Sequence, residues 1–223
     1  MSAVTIEELV LADEPARWRG LGFAVDGEVV RLGDVRLRLA GEDAGRGIVG
    51  WSLRGIPGSA LDGLETTAAP GARPDGSEPE PHSAGTPAPH PNGIAAIDHV
   101  VAMTPALDRT VSALTAAGLD LRRIREQPTP AGAPRQAFFR LGEEILEVVQ
   151  EPKQVVAGRE GGAERGARLW GLALLAPDLD RTVAALGEHV GVPRDAVQPG
   201  RRIATVKRSA GLAVPVALMS PKV

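Results

Sequence analysis

Pro105-Ala-Leu-Asp-Arg-Thr-Val-Ser-Ala-Leu114 returns 72 residues later as Pro177-Asp-Leu-Asp-Arg-Thr-Val-Ala-Ala-Leu186, identical at eight of ten positions. Each copy follows a short apolar run, residues 97–103 in the first and 169–175 in the second. What repeats is therefore a strand, a turn and a helix, and the second half of the chain reads as a tandem duplication. Polar residues shared by both copies are explained first by shared folding. A polar residue present in only one copy is a candidate for function, and the comparison singles out His99, aligned with Gly171, and Glu147, aligned with Val216.

Around this phrase the pattern extends into a βαβββ unit. Residues 94–103 read as a strand, Pro105 opens a helix to about residue 117, and Gly118 stops it. Strands follow at 119–125, 136–141 and 144–150, with Gly142 in the tight turn between the last two. The second copy gives a strand at 169–175, a helix from 178 to about 190, a faint strand near 196–198, and strands at 203–206 and 213–219. Farther upstream, Val30-Arg-Leu-Gly-Asp-Val-Arg-Leu-Arg-Leu39 echoes Phe139-Arg-Leu-Gly-Glu-Glu-Ile-Leu-Glu-Val148. Residues 1–56 thus read as a degenerate N-terminal module with a shortened helix near Pro15. A further strand at 47–56 either completes that module or begins another.

The implied organisation is a degenerate module at 1–56, a linker at 57–93, a module at 94–152 carrying His99 and Glu147, a connector at 153–167, and a second module at 168–223. From 68 to 92 the chain is dominated by Pro, Gly, Ala, Ser, Glu and Thr, too little apolar surface to offset the entropy of ordering it. The linker is expected to be largely disordered, with His82 and His90 exposed. The Gly-rich 158–166 stretch lacks a Lys-Ser/Thr after it and reads as connector, not phosphate loop.

The strand opening Ile97-Asp98-His99-Val100, the doubled Pro-x-Leu-Asp helix and the closing Ile145-Leu146-Glu147-Val148-Val149 together resemble the vicinal oxygen chelate superfamily, which includes glyoxalase I, bleomycin-resistance proteins, methylmalonyl-CoA epimerase and extradiol dioxygenases. The resemblance covers residues 94–223 well and 4–56 loosely. It implies an α+β fold in which tandem βαβββ modules form a curved eight-strand mixed sheet around a cavity, with helices outside. It also implies a divalent ion (Zn, Ni, Fe or Mn) held by His, Gln or Glu of first strands and Glu of fourth strands. Here that gives His99 and Glu147 as metal ligands and catalytic groups. By the resemblance the chain is a metal-dependent lyase, isomerase or dioxygenase of glyoxalase-like type acting on a small, carbonyl-containing molecule. The alternative is a metal-free binding protein of the bleomycin-resistance type.

Side-chain alternation places His99 on a face with Ile97, Val101 and Met103, and Glu147 with Ile145 and Val149. A carboxylate among aliphatic neighbours must lose its charge, find a cation or meet donors. The second copy has neither ligand, so only half of the family's set is present. Aligning Ile6-Glu7-Glu8-Leu9 with Ile97-Asp98-His99-Val100 makes Glu8 a candidate third ligand, although Arg38 then falls at the Glu147 position. Glu7, His189 and groups from another subunit are the other candidates. If chemistry occurs, Glu147 is the base, moving a proton next to a carbonyl. Of Phe138 and Phe139, adjacent on a strand, one ring faces the core and the other the cavity or the helix layer. Arg122, Arg123 and Arg125 form the densest basic cluster, either a solvated edge or a contact for an anionic substrate. Trp170 reads as a plug for the second half's ligand space, and Arg109 and Arg181 as solvent-side residues.

Composition sets the outer limits. Of 223 residues, 43% are hydrophobic, enough for a substantial core. A net charge of -3 leaves no broad basic surface for nucleic acid. The N-terminus lacks a leader pattern and no apolar run reaches bilayer length, so no membrane partner and a cytoplasmic location are expected. The absence of cysteine excludes disulfides, thiolate metal sites and a Cys nucleophile. A small-molecule ligand is the expected partner, with a homodimer left open.

Overall fold

The computed structural model of the chain describes residues 4–56, 59–69, 89–129 and 132–222. Its first part contains β1 (Thr5–Leu11), the short helix α1 (Pro15–Gly20), β2 (Val29–Leu32), β3 (Val35–Leu39), β4 (Ile48–Arg54), β5 (Ser59–Leu61) and β6 (Leu64–Ala68). These strands form one sheet in the order β2-β3-β1-β4-β6-β5. The second part contains β7 (Ala96–Thr104), α2 (Leu107–Ala116), β8 (Asp120–Arg125), β9 (Gln136–Leu141), β10 (Glu144–Gln150) and α3 (Lys153–Ala157). It continues with β11 (Arg168–Leu175), α4 (Leu179–Leu186), β12 (Arg194–Asp195), β13 (Arg202–Thr205) and β14 (Val216–Met219). Its eight strands are ordered β12-β13-β14-β11-β7-β10-β9-β8. The architecture is the expected α+β pairing of tandem βαβββ units in one eight-strand mixed sheet, but that sheet is open, with β12 and β8 at its edges, rather than curved around a cavity.

Both sheets are built on one pairing rule. In the larger, β7 runs parallel to β10 and antiparallel to β11, which runs parallel to β14. In the smaller, β1 runs parallel to β3 and antiparallel to β4, which runs parallel to β6. The first part therefore holds two reduced modules, and the strand at Ile48–Arg54 opens the second of them. Each pair is turned by the same chemistry. The two-residue loops after Leu32 and Leu141 begin with Gly33 and Gly142, at φ +61° and +72°, a conformation that side chains with a Cβ resist.

One face of the larger sheet is dry. Val100, Ala102, Ala137, Phe139, Leu141, Leu146, Val148, Leu174 and Leu218 are fully buried there, under Leu107 and Leu114 of α2 and Leu179 and Leu186 of α4. The same cluster of buried side chains continues into Leu9, Leu37, Trp51 and Leu53 of the smaller sheet. Each such side chain contributes about 1.5–3 kcal/mol by leaving water. The helices begin differently despite their near-identical sequences. Asp178 caps α4 by accepting the Arg181 amide, whereas Ala106 has no capping side chain and Thr104 Oγ1 accepts its amide instead. α4 stops at Leu186, short of the expected residue 190, because Gly187 takes φ +55° and the chain continues as a 3₁₀ turn. The last strand starts at Val216, after Pro215, rather than at 213.

The linker is shorter than the composition implies. Residues 59–68 lie in β5 and β6, where the Thr66 hydroxyl accepts the Trp51 indole N–H at 2.7 Å. Small and hydroxylated residues gave that strand no apolar signature. At the other end, His90 is buried instead of exposed. Its Nδ1 accepts the Ala24 amide at 3.0 Å, its Nε2 lies 2.9 Å from the Arg31 carbonyl, and Phe23 packs edge-on against the ring. His82 lies outside the described residues.

The hairpin between β5 and β6 joins the two parts. Asp62 holds φ +49°, the one positive φ outside glycine among the described residues. Its carboxylate accepts Arg109 Nε at 2.6 Å and the Thr110 hydroxyl at 2.5 Å, and its carbonyl accepts the Ala167 amide. Arg109 also donates to the carbonyls of Ala163 and Arg165, so it is an interface residue and not a solvent-side one. Gly63 meets Gly166 so closely that a Cβ would stand 2.8 Å from its Cα. Asp62→Ala removes the carboxylate that Arg109 Nε and the Thr110 hydroxyl share, while both keep their other acceptors, and is expected to cost about 1–3 kcal/mol. Urea unfolding measures this, and a loss below about 0.5 kcal/mol would show that the junction does not hold the two parts together.

Candidate functional site

On the other face of the larger sheet, one irregularity arranges the ionisable groups. β7 pairs with β11 as Ile97↔Leu174 and then His99↔Ala173, which leaves Asp98 as an extra residue in a β-bulge. Ile97 consequently joins the main core with Leu174 instead of sharing the His99 face, and both Asp98 and His99 line a cavity of ≈ 360 Å³. Glu147 enters from β10, where Ile145 pairs with His99 and Glu147 with Val101. Phe138 faces the cavity from β9 while Phe139 is wholly in the core. The cavity has a polar lining, with Arg122, Arg123 and Glu143 exposed on its rim. Arg123 also rests over the Phe138 ring, 4.9 Å from its centroid.

His99 stands between two carboxylates. Its Nδ1 lies 2.7 Å from Asp98 Oδ2 and its Nε2 3.3 Å from Glu147 Oε2. Asp98 is in turn held by Arg201 Nη2 at 2.5 Å, and Arg201 is anchored by donating to the Ser220 carbonyl and the Gln198 side chain. Burial alone would raise the Asp98 carboxyl, yet the hydrogen bonds and charges of His99 and Arg201 hold it below the usual range. Glu147 goes the other way. Desolvation raises its pKa, only partly offset by His99, the Gln136 amide and Arg125.

An ionised Asp98 only accepts, so Nδ1 carries a proton toward it. Nε2 then faces the Glu147 carboxyl, whose desolvation favours holding a proton. Such a proton, at the wall of a cavity, is available for transfer. Local sequence pattern does not single out Asp98, Gln136 or Arg201. Gln136 was recoverable, since it precedes Phe138 by two on the same strand. Asp98 was not, because alternation puts it on the opposite face and only the bulge overrides that. Arg201 comes from the β12–β13 turn, 103 residues from Asp98.

The third ligand anticipated for a divalent ion is elsewhere. By register, Glu8 and Arg38 take the places of His99 and Glu147 in the smaller sheet, since Leu9 pairs with Leu37 as Val100 pairs with Leu146. There Arg38 Nε donates to Glu8 at 3.1 Å and Arg36 lies 3.4 Å away, so the Glu8 carboxylate is already committed. Glu7 is buried against Arg36 and Arg54, and His189 borders a separate hollow beside Leu21 and Pro91. In the second module, Leu172 pairs with Val216 as Val100 does with Leu146. The position equivalent to Glu147 is therefore Ala217, one residue from the aligned Val216, which faces the core. Gly171, the His99 equivalent, packs against the Pro215 carbonyl with no room for a Cβ, and Trp170 beside it is 41% exposed instead of plugging the cavity. Among the described residues no three His, Asp or Glu side chains have the spacing of a metal site. His99 and Glu147 alone do not complete a zinc-type site, which in catalytic centres has three protein ligands.

No family model matches the sequence, and no curated protein does. Solved structures do. A xylose isomerase-like TIM barrel/4-hydroxyphenylpyruvate dioxygenase fusion protein overlays 99% of this chain on 50% of its own, at 17% identity and a TM-score of 0.60. This chain thus spans half the length of that protein. Methylmalonyl-CoA epimerase from Mycobacterium tuberculosis matches 58% of the chain and 89% of its own at 18% identity and a TM-score of 0.46. A variant of the Streptomyces coelicolor methylmalonyl-CoA epimerase in complex with 2-nitronate-propionyl-CoA matches 58% and 99% at 20% identity and a TM-score of 0.45. No helix among the described residues is long and apolar enough to cross a membrane.

Because Glu147 is neutralised more readily when folded, its contribution to stability is complete below about pH 4.5, its ordinary value, and is lost as pH rises through the folded value. Glu147→Gln removes that loss. The variant is expected to match wild type near pH 4 and to exceed it increasingly through the acidic range, keeping the advantage at pH 7. Thermal melts across pH check this, and a variant less stable at pH 7 than at pH 4, relative to wild type, would show that the carboxylate is stabilised in place.

Proposed function

The chain has the vicinal oxygen chelate fold, and we propose that its larger sheet binds a small, anionic, carbonyl-bearing molecule over His99 and Glu147. The observation that carries this reading is a cavity with the Glu147–His99 pair in its wall and Arg122 and Arg123 exposed on its rim. Guanidinium groups at the rim favour a carboxylate or similar anion. A carbonyl inside then lies against a pair that holds one transferable proton. Glu147 takes a proton from the carbon next to the carbonyl, His99 steadies the oxygen that gains charge, and Asp98, fixed by Arg201, holds the ring in the tautomer this needs. The chemistry is proton transfer of the isomerase or lyase kind. It draws on this chain's own residues, since the donor set does not complete a metal site.

The second reading is a binding protein without turnover. It is favoured by the second module, where Gly171 and Ala217, at the positions of His99 and Glu147, carry no reactive group.

A thermal-shift screen of small oxo acids against matched hydroxy and unfunctionalised acids tests both. At about 100 times its dissociation constant a ligand stabilises by about 2.7 kcal/mol, a rise of about 5–10 °C for a chain of this size. The shift should persist in EDTA, stay unchanged on loading with Zn, Ni, Fe or Mn, and vanish in His99→Ala. For the best ligand, deuterium uptake next to the carbonyl, followed by NMR, should require Glu147. Uptake equal in Glu147→Gln would leave the binding reading, and a shift that depends on added metal would overturn the metal-free account.

A further inference from the structure

At the far end of β10 from the cavity, four residues and about 13 Å along the strand from Glu147, a second charged cluster has no part in the chemistry above. Glu151 is buried, its side chain 1% exposed, and three arginines converge on it. Arg165 Nη2 donates at 2.6 Å, Arg159 Nη1 at 3.2 Å and Arg168 Nη2 at 3.4 Å. The carboxylate anchors the connector, and one arginine would be enough to neutralise it.

What remains is an excess of two positive charges and many unused donors. Each guanidinium has five N–H groups in a planar fork, and one from each reaches Glu151. Arg165 Nε and Arg168 Nε are buried with no acceptor among the described residues. Glu160 and Glu164, on the same connector, form no ion pair with the three. Buried donors of this kind are ordinarily satisfied. The outer face of the cluster is open, with the side chains of Arg159 and Arg168 44% and 39% exposed. Desolvation first, and then the neighbouring charge of Arg159, lower the proton affinity of Arg168, as crowded cations without a matching anion do.

We propose that Arg159, Arg165 and Arg168 form a binding site for a phosphate group, free or esterified on a small molecule. Charge selects phosphate, since its dianion cancels the excess of two where a carboxylate leaves one uncompensated. Shape agrees, because its tetrahedral oxygens accept from several forks at once. The site stands on its own geometry and does not depend on the reading of the His99–Glu147 cavity.

Calorimetric titration with sodium phosphate, at ionic strength held constant with chloride, tests it. The expected result is one saturable site per chain, weakened at least tenfold in Arg159→Gln and in Arg168→Gln and unchanged in the surface control Arg194→Gln. Methyl phosphate as a second titrant tells the sources apart, a preference for it assigning an ester and a preference for inorganic phosphate a free ion, and either supports the site. Glu151→Gln, where it folds, should bind phosphate more tightly than wild type, an effect that a purely structural cluster does not produce. Because Arg159 is largely exposed, its variant tests the site even if Glu151→Gln does not fold. Absence of saturable heat in wild type, or equal affinity in Arg159→Gln and wild type, would overturn the proposal.

Discussion

The parallel pairing of β7 with β10 is the constraint on which the site depends. Val100, Ala102, Leu146 and Val148 must all face the helices to close the core, and side chains alternate with period two. His99 and Glu147 are then forced to the opposite face, on adjacent strands, where water is scarce but not absent. Moving either strand by one residue would bury its ionisable group under α2. Core packing, not any attraction between the two groups, sets their proximity, and the bulge at Asp98 adds a third group that regular pairing would have hidden.

Position for position, the smaller sheet shows what the same geometry does with different charges. Glu8 and Arg38 occupy the His99 and Glu147 places and form a direct ion pair. Opposite fixed charges there neutralise each other and leave no proton in play. An imidazole between two carboxylates behaves differently, because three groups share fewer protons than they can bind. Arg201 settles which of them yields, holding Asp98 ionised while burial pushes Glu147 toward its acid form. Two sheets of one topology thus carry an Arg–Glu ion pair in one and a His between two carboxylates in the other.

Much of this was legible in the sequence because the repeat preserved what folding needs. Leu107 and Leu179, Thr110 and Thr182, and Leu114 and Leu186 recur where the helices meet the sheet, so the duplication announced the fold. His99 and Glu147 stood out by their absence from the second copy. What stayed hidden had physical reasons. Among the described residues the second reduced module of the first part has no helix, and its last strand carries Thr66 and Thr67 with little apolar signal. His90 sits in a tract whose composition suggests exposure, yet a ring with two polar nitrogens is buried once both find backbone partners. Asp98 and Arg201 depend on a bulge and on a contact across 103 residues, neither of which local pattern encodes.

We propose that His99 shares a single proton with Glu147 while its Nδ1 remains bonded to Asp98. Nitrogen-15 NMR of the imidazole, followed across pH alongside the carbon-13 signal of the Glu147 carboxyl, reads this directly. The account predicts a protonated Nδ1 throughout the range of stable folding, with Nε2 and the Glu147 carboxyl changing together in one coupled step. A resting ring protonated on Nε2 with Nδ1 bare, or a Glu147 signal that titrates in the ordinary carboxylate range without any response from Nε2, would contradict it.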